Sequence, residues 1–333
     1  AAIAHKRNLL PTVTTELQHT FPGCYSVMHD IKQRQRFTEH LLVQAERAAE
    51  AFSADDSEKA EYRERLDAAW ERALFTQFHD IITGTSIPSA WESVRSMQGT
   101  ARLVGEEVVL QATRRWSYRT LPKVDAHQVV VVNTAEQPFS GYVEAEPYLD
   151  FDNWGDRWLT DEKNKPVPFQ VLQAESNQLI PRILFRARVP PGASRQFRVH
   201  YEAGKTPAVK GRKLKATPKK LSNGAVTVDL RRGGIAGISL DGKALLGEGG
   251  IGLHLRKDTT DTWTFHTDAW TEEVEEVLKK GTWAIEDEGP LRVRARLDGR
   301  IGTSRVEWTV SLYRDEPIVA MELLVNFHER FRL

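Results

Sequence analysis

The side chains best suited to chemistry in this chain lie together at Gln77-Phe78-His79-Asp80, directly before the turn-forming run Ile81-Ile82-Thr83-Gly84-Thr85-Ser86. A neutral imidazole nitrogen and a carboxylate oxygen are both zinc donors. One histidine does not make a metal site, however. Judged on its own, His79 reads first as a capped, hydrogen-bonded histidine at a helix end. A second arrangement, Phe265-His266-Thr267-Asp268-Ala269-Trp270, has the His-x-Asp spacing of a metal pair but sits among strand-like segments, and reads as a polar loop. The histidines before His79 are His5, His19, His29 and His40, and none has an Asp two positions on; His29 is followed directly by Asp30. Cys24, between Gly23 and Tyr25, fits a small buried apolar residue better than a nucleophile. Trp154, Trp158, Trp263, Trp270 and Trp283 could each stack on a sugar ring, although packing is the commoner fate of tryptophan.

The elements that must position these residues change character once, near residue 120. Before it the apolar spacing is helical. Leu41, Ala45, Ala48 and Phe52 recur at steps of four and three, and Ser53-Ala54-Asp55-Asp56-Ser57 supplies N-cap residues for a second helix. In that helix Tyr62, Leu66, Ala69 and Ala73 share a face, with Trp70 and Leu74 beside them, and the helix runs into His79-Asp80. Pro88 is placed to open a third helix at its first turn, with Val94, Met97, Ala101, Val104 and Val108 as its stripe. Three amphipathic helices with short connections predict a three-helix bundle.

After residue 120 the pattern alternates with period two or forms short apolar runs between turns. Strands are expected at 129–132, 141–146, 183–189, 196–201, 225–230, 235–240, 291–297, 306–313 and 318–327. That many strands without an intervening helix predict an antiparallel β-sandwich. The organisation expected is a trailing segment over 1–30, a helical bundle over 31–120, a small β domain over 121–203, a Lys-, Gly- and Pro-rich linker over 204–220, and a β-sandwich over 221–333. The linker carries many cations but no interleaved aromatic residue, so it reads as a solvated spacer and not a nucleic-acid patch. Both ends read as cut: residues 1–30 hold no complete element, and the chain stops at Phe331-Arg332-Leu333 just after an apolar strand. A piece of a longer protein is expected.

Composition narrows the class. Of 333 residues, 40% are apolar and 28% charged, as in a globular protein with real cores. The 46 Lys and Arg equal the 46 Asp and Glu, so no global field favours nucleic acid or an anionic membrane. A single cysteine excludes an internal disulfide, no Asn-x-Ser/Thr site occurs, and AAIAHKRNLL lacks the apolar core of a signal peptide. A cytoplasmic location is the expectation. A homo-oligomer is compatible with bundle and sandwich surfaces of this size.

Three segments carry a resemblance. Trp70 to Val94, WERALFTQFHDIITGTSIPSAWESV, resembles the middle-domain signature of glycoside hydrolase family 38 α-mannosidases; Glu16 to Arg47 resembles the junction at which that family's catalytic domain meets its helical domain; and Lys257-Asp258-Thr259-Thr260-Asp261-Thr262-Trp263 looks like a stretch of its C-terminal β region. The resemblance implies a multi-domain α + β protein whose three-helix bundle precedes an antiparallel, galactose-mutarotase-like supersandwich. It implies a retaining, zinc-dependent hydrolase of terminal α-mannosidic bonds, in which His79 is one of four zinc ligands and Asp80 contacts the sugar. It further implies that the catalytic carboxylates and remaining ligands lie in an N-terminal domain outside this chain. Retention needs two carboxyl groups about 5–5.5 Å apart, and the sequence shows no identifiable pair, so no catalytic residue is assigned and the chain alone is expected to be inactive. The alternative is a non-enzymatic carbohydrate-binding or scaffold sandwich. A family 38 enzyme confined to a mannosylated small solute or a single linkage is a narrower form of the first reading.

Overall fold

The computed structural model describes residues 14, 21–122, 127–147, 157–172, 182–201, 204, 206–264, 273–279 and 281–333. A short 3-10 helix, Pro22–Tyr25, precedes three α-helices: α1 (His29–Phe52), α2 (Asp56–Phe75) and α3 (Ala90–Thr120). Their shared core is Leu42, Ala45, Ala48, Phe52, Tyr62, Leu66, Ala69, Ala73, Ala101, Val108 and Ala112, all buried. The small alanines let the helices approach while Phe52 and Tyr62 fill the remaining space; burying each of the larger side chains contributes about 1.5–3 kcal/mol.

Local chemistry sets the helix ends. Asp55 caps α2 by accepting the amide of Glu58 at 2.9 Å, and the Glu58 carboxylate reaches back to the amide of Ala54 at 2.6 Å. The same carboxylate pairs with Arg115 and Arg119 of α3, so a capping residue also ties two helices together.

Three details differ from the sequence expectation. The buried stripe of α1 runs through Leu42, with Leu41 half-buried, and Leu74 of α2 is 56% exposed. Helix α2 ends at Phe75, so His79 and Asp80 stand in turns beyond it. Helix α3 starts at Ala90, and Pro88 lies in the preceding turn, where its carbonyl accepts the amide of Trp91 at 3.2 Å.

Seven strands follow: β1 (His127–Asn133), β2 (Phe139–Ala145), β3 (Trp158–Asp161), β4 (Pro166–Val167), β5 (Phe169–Leu172), β6 (Arg182–Val189) and β7 (Ala193–His200). They make two antiparallel sheets, ordered β1-β7-β3-β4 and β2-β6-β5. Between them lie Leu159, Ile183, Phe185, Ala187, Val189, Phe197 and Val199. The rings of Phe185 and Phe197 are 4.6 Å apart.

The larger β region holds β8 (Lys215–Thr217), β9 (Lys220–Ser222), β10 (Val226–Arg231), β11 (Gly234–Leu240), β12 (Lys243–Ala244), β13 (Ile251–Gly252), β14 (His254–Arg256), β15 (Val274–Val277), β16 (Trp283–Glu288), β17 (Arg292–Ile301), β18 (Ser304–Tyr313) and β19 (Val319–Asn326). One sheet runs β12-β11-β10-β9-β8 with β13 beside β11, another runs β16-β17-β18-β19, and β14 pairs with β15. In β18, Val306, Trp308, Val310 and Leu312 are buried while Arg305 is exposed and Glu307 and Thr309 are partly so, which is the period-two pattern of a strand with one face on a core. All nine expected strands are present within a few residues; short ones such as β4, β12 and β13 carry too few residues to show a period. The stretch 204–220 is not a free spacer over its described residues. Val209 packs against the buried cluster of Leu172, Leu184 and Leu291, Lys215–Thr217 forms an edge strand, and Arg314 donates to the carbonyl of Arg212.

The two β units are joined by a buried polar network. Gln170 of β5 accepts the amides of Leu291 and Arg292 at 2.9 and 2.8 Å, and donates to Asp287 at 2.6 Å. Arg292, 7% exposed, pairs with Asp287 at 2.8 Å and with Glu144 of β2 at 2.6 Å. Its desolvation would favour the neutral form, but the two carboxylates and Tyr313 hold the guanidinium charged.

Candidate functional site

The loop that carries His79 and Asp80 is built from its own turn chemistry. Backbone bonds from Ile81 and Ile82 to the Phe78 carbonyl, at 2.8 and 3.0 Å, coil the chain after α2. Thr83 donates its hydroxyl to the carbonyl of His79, and Ser86 to that of Asp80 at 2.7 Å, while Thr83 and Thr85 share a bond of 2.9 Å. Ile81 is the anchor: it is buried with Ile31, Trp91 and Val94, so the loop is fixed to α1 and α3 from beneath.

Above that anchor the functional groups face solvent. The His79 side chain is 75% exposed and that of Asp80 51%, with Nε2 and Oδ2 3.6 Å apart. The imidazole also lies against the Phe78 ring, with centroids 4.2 Å apart, which restricts its rotation. Two neighbouring donors, one nitrogen and one carboxylate oxygen, match zinc's preferences in type, though zinc needs three or four. Among the described residues no group of three or more His, Cys, Asp or Glu could complete a metal site. The pair can therefore contribute to a site but not constitute one.

The three segments singled out in the sequence meet in space. Gly84 adopts φ +81° and packs so tightly on Val27 and Met28 that an added Cβ would fall 2.5 Å from Val27 Cγ1. A few residues earlier, the amide of Gly23 donates to the carbonyl of Trp263 at 3.3 Å, and the rings of Phe21 and Trp263 meet edge-on at 5.2 Å. Asp261 in turn accepts the amides of Trp263 and Thr264, at 3.0 and 2.9 Å, shaping the turn that touches Gly23. The His79 loop, the segment before α1 and the Asp261-Thr262-Trp263 stretch thus form one continuous contact.

The remaining candidates have other roles or lie elsewhere. Cys24 is half-buried where a buried residue was expected, and burial pushes its thiol up, with Asp261 adding to this and the charge of Lys32 opposing it. Asp30, next to His29, is engaged by Arg95 at 2.9 Å. Trp158 stacks on His200 with centroids 4.3 Å apart, and Trp283 is buried with its indole N–H donated to the carbonyls of Arg231 and Gly234. Trp158 and Trp283 pack; Trp154, Trp270 and the His266-Thr267-Asp268 loop lie outside the described residues. The hydroxyls of Thr83, Thr85 and Ser86 were legible only as a turn, and no sequence signal assigned them to the carbonyls of His79 and Asp80.

Residues 19–116 match the family model of the alpha mannosidase middle domain. No curated protein matches the chain by sequence. Among solved structures, a protein in the glycosyl hydrolase family 38 from Enterococcus faecalis superposes with a TM-score of 0.69 at 16% identity, over 99% of this chain and 47% of its own. An alpha-mannosidase from Enterococcus faecalis V583 gives a TM-score of 0.69 at 16% identity, over 93% of this chain and 42% of its own. The chain therefore spans less than half the length of these two structures, and at such identity the likeness is one of fold. By its fold this chain resembles the glycoside hydrolase family 38 structures, and its helical segment matches the model of the alpha mannosidase middle domain.

Proposed function

We propose that the chain forms part of a retaining, zinc-dependent α-mannosidase, in which His79 supplies one metal ligand and Asp80 a hydrogen bond to the sugar. The observation that carries this reading is the contrast within one loop: Ile81 and Gly84 are packed and the backbone is tied down, yet the His79 and Asp80 side chains are left in solvent. A histidine kept only for packing would be covered. Support also comes from the position of the pair inside the matched middle-domain segment.

Bound zinc would polarise and orient adjacent sugar hydroxyls. His79 offers it a neutral nitrogen, and the Phe78 ring limits the imidazole's sweep. Asp80 accepts hydrogen bonds from a substrate hydroxyl, and the Ser86 bond to its carbonyl fixes the backbone from which it projects. The bundle and sandwich brace a catalytic domain and form one wall of its pocket. A terminal α-mannoside is the substrate, and the single cysteine supports a cytoplasmic location.

The test is His79→Ala in the full-length enzyme, read by bound zinc per chain and by turnover of an aryl α-mannoside. Loss of zinc, with kcat/KM lower by about a hundredfold or more, is expected. Zinc content and activity both at wild-type level would sink the ligand assignment.

A further inference from the structure

Charge in this chain is balanced overall, but not locally. On the larger sandwich Arg292, Arg294, Arg296 and Arg305 each have a carboxylate within ion-pair distance. On the small sandwich Arg182 is likewise paired, with Glu144 and Glu146, but a cluster of cations stands apart from it. Lys163 and Lys165 on the β3–β4 hairpin, Arg186 and Arg188 on β6 and Arg195 on β7 all line one cavity of about 460 Å³.

Its two acids, Asp161 and Glu162, offset only part of the charge of these five cations. Asp161 turns its Oδ1 to the amides of Lys163 and Lys165, both at 2.9 Å, and so serves the hairpin turn. Glu162 pairs with Arg195 at 3.4 Å. Among the described residues no ion pair reaches Lys163, Lys165, Arg186 or Arg188. Arg186 lies over the Tyr142 ring, 5.9 Å from its centroid, its charge acts on the Glu316 carboxylate, and its Nε is buried without an acceptor. A buried donor with no partner costs stability, and like charges around a concave wall repel each other. An anion seated in the cavity would relieve that repulsion.

We infer that this cavity is a binding site for a tetrahedral oxyanion, the phosphate group of a small molecule. Guanidinium groups present paired N–H donors that match two oxygens of a phosphate, and lysine ammonium groups add point charge. Alternate residues of a strand point to one face, so Arg186 and Arg188 stand side by side, and the hairpin lysines line the same cavity. The volume exceeds that of the ion alone and has room for the organic part of an ester. The site shares no residue with the His79 loop, so it stands or falls separately from the proposed hydrolase activity.

The test is calorimetric titration of the chain with inorganic phosphate and with phenyl phosphate, against sodium chloride at matched ionic strength. Saturable phosphate binding is expected, with Arg188→Gln and Lys165→Gln each weakening it about tenfold. Lys219→Gln, on an exposed turn of the other β unit, should leave it unchanged. Both tested side chains reach solvent, and unchanged thermal midpoints would confirm folding. Tighter binding of phenyl phosphate than of the free ion would identify an ester as the ligand, and equal binding the ion. No heat beyond the chloride control, or wild-type affinity in both variants, would overturn the site.

Discussion

Gly84 lies against Val27 so closely that an added Cβ would stand 2.5 Å from Val27 Cγ1 and 2.7 Å from the Val27 carbonyl oxygen. This contact joins the loop that presents His79 to the segment entering α1. It works only because residue 84 has no side chain and can hold φ +81°.

Gly84→Ala should therefore be costly for two reasons, backbone strain and collision with main chain that cannot swing away. A loss of about 2–3 kcal/mol is expected. Urea denaturation followed by far-UV circular dichroism would measure it. A midpoint within error of wild type would mean that the loop does not sit on Val27.

Arg292→Met should destabilise the chain strongly, by about 3 kcal/mol, because it leaves the Asp287 carboxylate without its cation and Glu144 with Arg182 alone. Gln170→Leu removes the acceptor for two backbone amides and should cost about 2–4 kcal/mol. The double variant should cost less than the sum, since both act on one network. Full additivity in calorimetric unfolding would contradict the network.

Tyr142 predicts an alkaline limit. Burial, with Glu316 and Asp315 nearby, pushes its phenol from the ordinary value of 10 up to about 12, against the pull of Arg186 and Arg314. The folded state thus holds the proton more tightly than the unfolded chain. Its contribution is complete below pH 10 and is lost as pH rises through 12, with up to about 2 kcal/mol at stake. Tyr142→Phe should flatten stability between pH 10 and 12, at the expense of the 2.7 Å bond to the Arg314 carbonyl. An equally steep decline in the variant would assign the alkaline limit to other groups.

Glu58 gives the opposite sign. Desolvation raises its affinity for a proton, but the Ala54 amide and the Arg115 and Arg119 guanidinium groups outweigh this and hold the carboxyl below its usual range. Its stabilisation is present above the unfolded carboxylate range and is lost as pH falls through the lower folded value. Glu58→Gln should remove about 1 kcal/mol at neutral pH and reduce the acid sensitivity of folding below the ordinary carboxylate range. Acid titration of unfolding free energy for both proteins would decide it; parallel curves would exclude Glu58 as an acid-sensitive tie.

Part of this protein follows from sequence alone. The switch from helical to alternating spacing near residue 120 separates bundle from sandwich, because periodicity records which face of each element leaves water. The run Ser53-Ala54-Asp55-Asp56-Ser57 marks the start of α2, where Asp55 caps it across three residues, and the run from Thr83 to Ser86 marks a turn after His79 and Asp80, though not that the helix already stops at Phe75. The Trp70 to Val94 segment carries its resemblance in contiguous residues. Each is local information.

Tertiary structure decided the rest. The choice of Leu42 over Leu41 depends on the angle at which α3 meets α1, and adjacent leucines give equally plausible stripes. Strands of two or three residues exist only because a neighbour supplies their hydrogen bonds. Phe21 on Trp263, Gln170 on Arg292, and the gathering of Lys163, Lys165, Arg186 and Arg188 around one cavity all join residues distant in sequence. A net charge of zero conceals such a gathering, since summing charges discards position, and only packing of the sheets restores it.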